Sequence, residues 1–211
     1  MGSSQIEKAA RFRALHDRPD PFVIPNPWDV ASTRILEGMG FEAVATSSAV
    51  SACVMGRRDG ELSRDEALAH AKMIINATDL PVSADLERGF GDVPDTVAET
   101  IRLAAEAGLV GCTIEDTTGD PDRPLYDFDL AVERIAAAAQ AAHSLGFPFI
   151  LTARAHNLMF PKPNLDQTIK RLQAFERAGA EEQTSFSHLV FLTSVPCGQF
   201  ARHYRSPSIS W

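Results

Sequence analysis

Cysteine is scarce: Cys53, Cys112 and Cys197 are the three in 211 residues. Three scattered thiols make neither a disulfide framework nor a zinc-ligand spacing, which points to a reducing compartment. Long apolar runs are missing too. No stretch approaches the roughly 18 apolar residues needed to span a bilayer. The opening, Met1-Gly2-Ser3-Ser4-Gln5, has neither the basic nor the apolar region of a signal peptide. Positive charge is in deficit, with 20 Lys and Arg against 28 Asp and Glu and a formal net charge of -8. That balance argues against nucleic acid and anionic membrane as partners. Together these absences lead to the expectation of a cytoplasmic protein.

What is present is a βα rhythm. Apolar strands are expected at Phe22-Val23-Ile24, Ala43-Val44-Ala45-Thr46, Val82–Asp85, Gly111–Glu115 and Pro148–Thr152. Helices are expected between them, over residues 5–17, 30–37, 64–77, 94–107, 129–145 and 165–178. Their starts carry capping residues: Asp29, the capping box Ser63-Arg64-Asp65-Glu66, and Asn164 with Gln167. Gly38, Gly108, Gly146 and Gly179 follow their ends. At this length the chain is one domain with room for a sizeable core. Five βα units fit an open parallel sheet or part of a (β/α)8 barrel, and rhythm alone does not choose.

The chemistry gathers on Val82-Ser83-Ala84-Asp85-Leu86-Glu87-Arg88-Gly89-Phe90-Gly91. Asp85 and Glu87 are spaced i, i+2, which on a strand puts both on one face. A glycine-bracketed turn follows. Acids at a strand end of a parallel α/β protein sit where such folds hold their chemistry, and hard oxygens suit Mg²⁺. A solvated acid pair is the bland reading of the same spacing. Thr46-Ser47-Ser48 ends another strand with hydroxyls and N–H groups able to hold a carboxylate, or is an ordinary turn. Asp59 alone reads as a surface turn residue. Glu115 and Asp116 point to opposite faces, so one of them faces the site. Arg154 can grip a carboxylate in bidentate fashion, or pair with the site acids. His156 can shuttle protons, though a loop histidine is more often only solvated.

Ala84–Gly91 resembles the acid-x-acid-x-Gly-aromatic-Gly motif of the isocitrate lyase/phosphoenolpyruvate mutase superfamily, and the likeness covers about residues 22–180. The resemblance implies a (β/α)8 TIM-barrel type, here incomplete with five to six βα units, and a Mg²⁺ site. Asp85 and Glu87 would line that site. Glu stands where many members have Asp and would reach the ion through water. The resemblance further implies Asp59 reaching the ion through water, Glu115 in its shell and Asp116 in a structural role. It assigns substrate-carboxylate binding to Thr46, Ser47, Ser48 and Arg154. The lyases' Lys-Lys-Cys-Gly-His-like motif is absent, because residues 117–127 hold neither Cys nor His. The implied activity is Mg²⁺-dependent carbon–carbon cleavage or decarboxylation of a small 2-oxo or 2-hydroxy carboxylic acid through an enolate, with oxaloacetate a candidate. The alternative is an inactive member that keeps metal or ligand binding. A homo-oligomer is compatible with the family.

The rhythm is expected to stop near Ala180. Ala178-Gly179-Ala180 repeats earlier helix ends but runs into Glu181-Glu182-Gln183-Thr184-Ser185 instead of an apolar strand. This divides the chain into a partial barrel, 1–180, and an atypical tail, 181–211. The tail is expected to leave the barrel unclosed and strand edges exposed. A further strand within Phe186–Val195 is the alternative.

Overall fold

The structure, a computed structural model, describes residues 2–160, 163–187 and 190–191, with backbone alone at 183–187 and 190–191. In chain order it contains α1 (Gln5–His16), α2 (Val30–Gly38), β1 (Val44–Ala45), α3 (Ser48–Val54), α4 (Arg64–Ile75), β2 (Val82–Asp85) and α5 (Pro94–Ala107). There follow β3 (Gly111–Glu115), α6 (Phe128–His143), β4 (Ile150–Ala155), α7 (Leu165–Arg177), β5 (Glu182–Ser187) and β6 (Val190–Phe191). Local chemistry sets the helix starts. Ser4 with Glu7, and Ser63 with Glu66, form reciprocal capping boxes, and the Asn164 side chain accepts from Gln167 N. Pro94 opens α5, and Gly108, in the left-handed region at φ 104°, closes it. Helix α3 lies between the expected strand at 43–46 and the expected helix at 64–77, where the sequence marks no element; its seven residues are too few for a periodic signal.

Strands β1 to β5 pair parallel in the order of the sequence. Neighbours in sequence are neighbours in space, so the sheet has no switch point. It is a singly wound arc of the kind that forms a barrel wall. β6 turns back antiparallel on β5, pairing Phe186 with Phe191 and Ser187 with Val190.

Two strand expectations are corrected. Phe22–Ile24 forms no strand. Pro25 and Pro27 remove backbone donors beside it. The segment keeps one backbone bond to the sheet, Ala45 N to Pro25 O at 3.1 Å, and packs Phe22 and Ile24 against the lower core. The rhythm also does not stop at Ala180, because Glu182–Ser187 is a parallel strand on β4. The adjoining acid is not left unpaired. Glu181 accepts from Arg13 Nη2 at 2.8 Å and from Leu151 N at 2.9 Å. Within the expected strand Phe186–Val195, residues 188–189 and 192–195 lie outside the described residues, as does the tail beyond.

The core has two parts. The larger lies between the sheet and helices α4 to α7, with Val82, Ala84, Cys112, Ile114, Leu151 and Ala153 facing Ile74, Ile101, Ile135 and Phe175. The smaller joins α1 (Ala9, Phe12, Leu15) to Ala43, Val110 and Ile150, residues at or just before the strand starts. Gly111 lets this plug approach: a Cβ there would lie 2.8 Å from Ile150 O and 2.9 Å from Phe12 Cε1. With the N-terminal strand ends closed by α1, the open chemistry is left at the C-terminal ends.

Glu182 supplies a test of the added strand. Burial pushes its pKa up to about 7, Arg13 opposing and Glu181 adding. Its folded pKa lies above the unfolded value, so its contribution to stability falls as pH rises from about 4.5 through about 7. Glu182→Gln is expected to raise the urea midpoint relative to the wild type near pH 8, with the two converging near pH 4. A difference that does not change with pH would contradict this placement.

Candidate active site at the strand ends

Register brings the site together. Asp85 lies opposite Thr113 across β2 and β3, and Glu115 lies opposite Arg154 across β3 and β4. On β3 the alternation puts Thr113 and Glu115 on one face, both partly exposed, while Cys112 and Ile114 are buried on the other. Arg154, 7% exposed, occupies the middle. Its Nη1 is 2.9 Å from Asp85 Oδ1 and donates to Thr113 Oγ1 at 3.1 Å. Its Nη2 donates to Glu115 Oε2 at 2.7 Å, and its Nε donates to His156 Nε2 at 3.0 Å. Thr117 Oγ1 donates to the other oxygen of Glu115.

One guanidinium serves two acids, and they respond differently. Burial raises the Asp85 pKa, but Arg154, the Glu87 N–H and Ser48 outweigh it, so the carboxyl titrates below its ordinary range. At Glu115 burial wins over Arg154, and the pKa is raised. His156 is pushed down to about 3 by burial and by Arg154, so its imidazole is neutral near pH 7. Its Nε2 accepts from Arg154, so it is no acid donor as it stands.

The Asp85–Glu87 pair converges by a different route than strand alternation. β2 ends at Asp85, Leu86 is fully buried, and Glu87 takes φ 50°, so the i, i+2 face argument does not extend to it. The turn returns the Glu87 N–H to Asp85 Oδ1 at 3.1 Å. The Glu87 carboxyl is pushed up to about 7, by burial first and then by Asp85, Asp59 and Glu115. Asp59 itself is exposed, on a loop close enough to act on Glu87 and Arg154. Thr46 Oγ1 accepts from Asp85 N at 3.3 Å, Ser47 is the N-cap residue of α3, and Ser48 Oγ donates to Asp85 Oδ2 at 3.1 Å.

Asp116 turns away from these groups. It accepts from His156 N at 2.9 Å and from Arg171 Nη1 at 3.2 Å, tying α7 to β3 and β4. Sequence reasoning missed Thr113, Thr117 and Arg171. Thr113 was accessible from the alternation that places it with Glu115. Arg171 carried no signal, because an arginine on a helix reads as a solvated face.

The phosphoenolpyruvate phosphomutase family model matches residues 12–189. The chain belongs to that family. A 2-methylisocitrate lyase of Bacillus subtilis is 33% identical over 186 residues, covering 85% of this chain and 60% of that protein. A lyase/mutase candidate from Burkholderia cenocepacia superposes with a TM-score of 0.84 at 55% identity, covering 86% of this chain and 65% of the other. A 2,3-dimethylmalate lyase of the PEP mutase/isocitrate lyase superfamily gives 0.77 at 31% identity, over 84% and 63%. The chain thus spans about three fifths of the length of the curated relatives it matches.

For a phosphomutase-family chain, the donor set at these strand ends suits a hard cation. Carboxylates outnumber the one guanidinium between them, and their mutual repulsion is visible at Glu87. Among the described residues no three His, Cys, Asp or Glu side chains converge as a cage. A cation here would rest on one or two carboxylates and otherwise on water, which is the usual manner for Mg²⁺. Among the described residues, too, no helix is long and apolar enough to cross a membrane.

Arg154→Met would leave Asp85 and Glu115 facing each other without their shared cation. Removing one partner of such a buried set costs about 3–5 kcal/mol. Urea unfolding in chelator at neutral pH is expected to show that loss, and a variant of unchanged stability would contradict the network.

Proposed function

We propose that this chain is a Mg²⁺-dependent carbon–carbon lyase or decarboxylase acting on a small 2-oxo or 2-hydroxy carboxylic acid through an enolate. The observation that carries the reading is the charge imbalance: Asp85, Glu87, Glu115 and Asp59 act on one another around Arg154, beside a neutral His156. Asp85, the acid held ionised, is the anionic oxygen on which the cation would rest, with Glu87, Asp59 and Glu115 reached through water. Bound there, Mg²⁺ supplies electrophilic stabilisation of the negative charge that develops as the bond breaks.

The chain's own groups do the rest. Arg154 supplies fixed positive charge for a substrate carboxylate, and His156 keeps the guanidinium in orientation by accepting from it. Thr46 and Ser48 bond to Asp85, and with Ser47 they would offer hydroxyl and N–H groups to a substrate carboxylate. Decarboxylation needs no protein base to expel CO₂. That suits a 117–127 loop without Cys or His, and a Cys112 thiol whose pKa burial pushes upward. The relatives named for methylisocitrate and dimethylmalate support small hydroxy acids as the substrate class. A cytoplasmic setting and a homo-oligomer belong to the same proposal.

The test is a panel of 2-oxo and 2-hydroxy acids, oxaloacetate included, assayed with Mg²⁺ and with chelator. Mg²⁺-dependent turnover of at least one acid is expected. Asp85→Ala is expected to abolish Mg²⁺ binding by calorimetry, since no neighbouring neutral group replaces a hard anionic oxygen, and Glu87→Ala to weaken it less. Unchanged Mg²⁺ affinity in the Asp85 variant would remove the assignment. Mg²⁺ binding without turnover of any acid would leave a ligand-binding protein.

A further inference from the structure

The turn that carries Glu87 is held in an uncommon backbone state. Glu87 and Phe90 have φ of 50° and 59°, and Gly89 has 81°. Left-handed conformations at two non-glycine residues are disfavoured and persist only where the surroundings over-determine them. The carbonyls show what does so. Gly89 N donates to Leu86 O at 2.8 Å, Glu115 N to Glu87 O at 2.9 Å, and Thr100 Oγ1 to Gly89 O at 2.8 Å. Three others, of Arg88, Gly91 and Asp92, accept from one side chain, the guanidinium of Arg134 on α6.

Arg134 is 1% exposed, and the one carboxylate that acts on it, Asp92, is itself held by Tyr126. Its charge rests on those carbonyls and on the face of Tyr126, whose centroid lies 4.0 Å from Cζ. Tyr126 OH in turn donates to Asp92 Oδ1 at 2.6 Å, so the stacking partner grips the same turn. The turn is also confined on the other side. A Cβ at Gly89 would lie 3.0 Å from Val97, and one at Gly91 would collide with Thr96.

We infer that Arg134 is a positioning residue for Glu87: its buried guanidinium, by bracketing the carbonyls of Arg88, Gly91 and Asp92, holds the turn in the state that aims Glu87 at the acid cluster. The planar fork spans the three carbonyls from two nitrogens, Nη1 and Nη2, whereas a lysine ammonium on its shorter stem presents all its donors from one nitrogen.

The test is Arg134→Lys in the full chain, with two readouts. The first is amide hydrogen exchange. Gly89 is expected to exchange faster while the amides of α5 keep their rates. Unchanged Gly89 exchange, or acceleration shared with α5, would overturn the inference. The second readout rests on the Mg²⁺ reading above. Arg134→Lys is expected to weaken Mg²⁺ binding on the order of tenfold, as loss of a group orienting a ligand does. It is expected to have no such effect in a Glu87→Gln background. An equal loss in both backgrounds would assign Arg134 to general stability and overturn the role. If the wild type binds no Mg²⁺, that result counts against the metal reading, and amide exchange alone decides for Arg134. Should the Lys variant fail to fold, Arg134→Gln carries the same readouts, and failure of both to fold would also overturn the positioning role.

Discussion

The arrangement at the strand ends depends on one guanidinium. Arg154 lies between Asp85 and Glu115, within 2.9 Å of the first and 2.7 Å of the second. Two carboxylates in this partly dry position repel each other and lose hydration, and neither penalty is tolerable without a fixed cation between them. The parallel register of β2, β3 and β4 puts the three residues side by side. Other features follow from that cation. His156 stays neutral beside it, Thr113 bridges it to Asp85, and Glu87, buried next to Asp85, Asp59 and Glu115, is pushed up to about 7.

A second tier of buried arginines ties this network to the helices. Arg171 on α7 reaches Asp116 and the carbonyl of Tyr126. Arg134 on α6 reaches the turn after β2. Both bridge a helix to a loop at the C-terminal end of the sheet, where backbone groups have no ladder to pair with. The small plug of α1 against Ala43, Val110 and Ile150 closes the opposite ends. The layout is that of a barrel arc with a packed floor and a polar rim.

Much of this was legible in the sequence. Caps and glycines marked five of the six expected helices, and four strands fell where apolar runs met turn residues. Asp85, Glu87, Glu115, Arg154 and Ser48 lie at or just past strand ends that the βα rhythm located, while Asp59 lies on an exposed loop. Other features escaped for physical reasons. Phe22–Ile24 has strand composition, but flanking prolines deny it a ladder. Glu182 looks wrong for a strand, yet backbone pairing with β4 forms there, and Glu181 beside it finds Arg13 and Leu151 N. The convergence of Glu87 on Asp85 came from a left-handed turn, not from strand alternation, and only coordinates reveal such a turn. Arg134 and Arg171 could not be told from surface arginines, because their partners are carbonyls and an acid far away in sequence.

The proposed place for a divalent cation is at Asp85, among the acids around Arg154. The most direct measurement is anomalous diffraction from crystals grown with Mn²⁺ as a visible substitute for Mg²⁺. A single strong peak is expected at the C-terminal ends of β2 and β3, touching Asp85 directly and Glu87 or Glu115 through water. A peak elsewhere, or none at a concentration that saturates binding in solution, would contradict it.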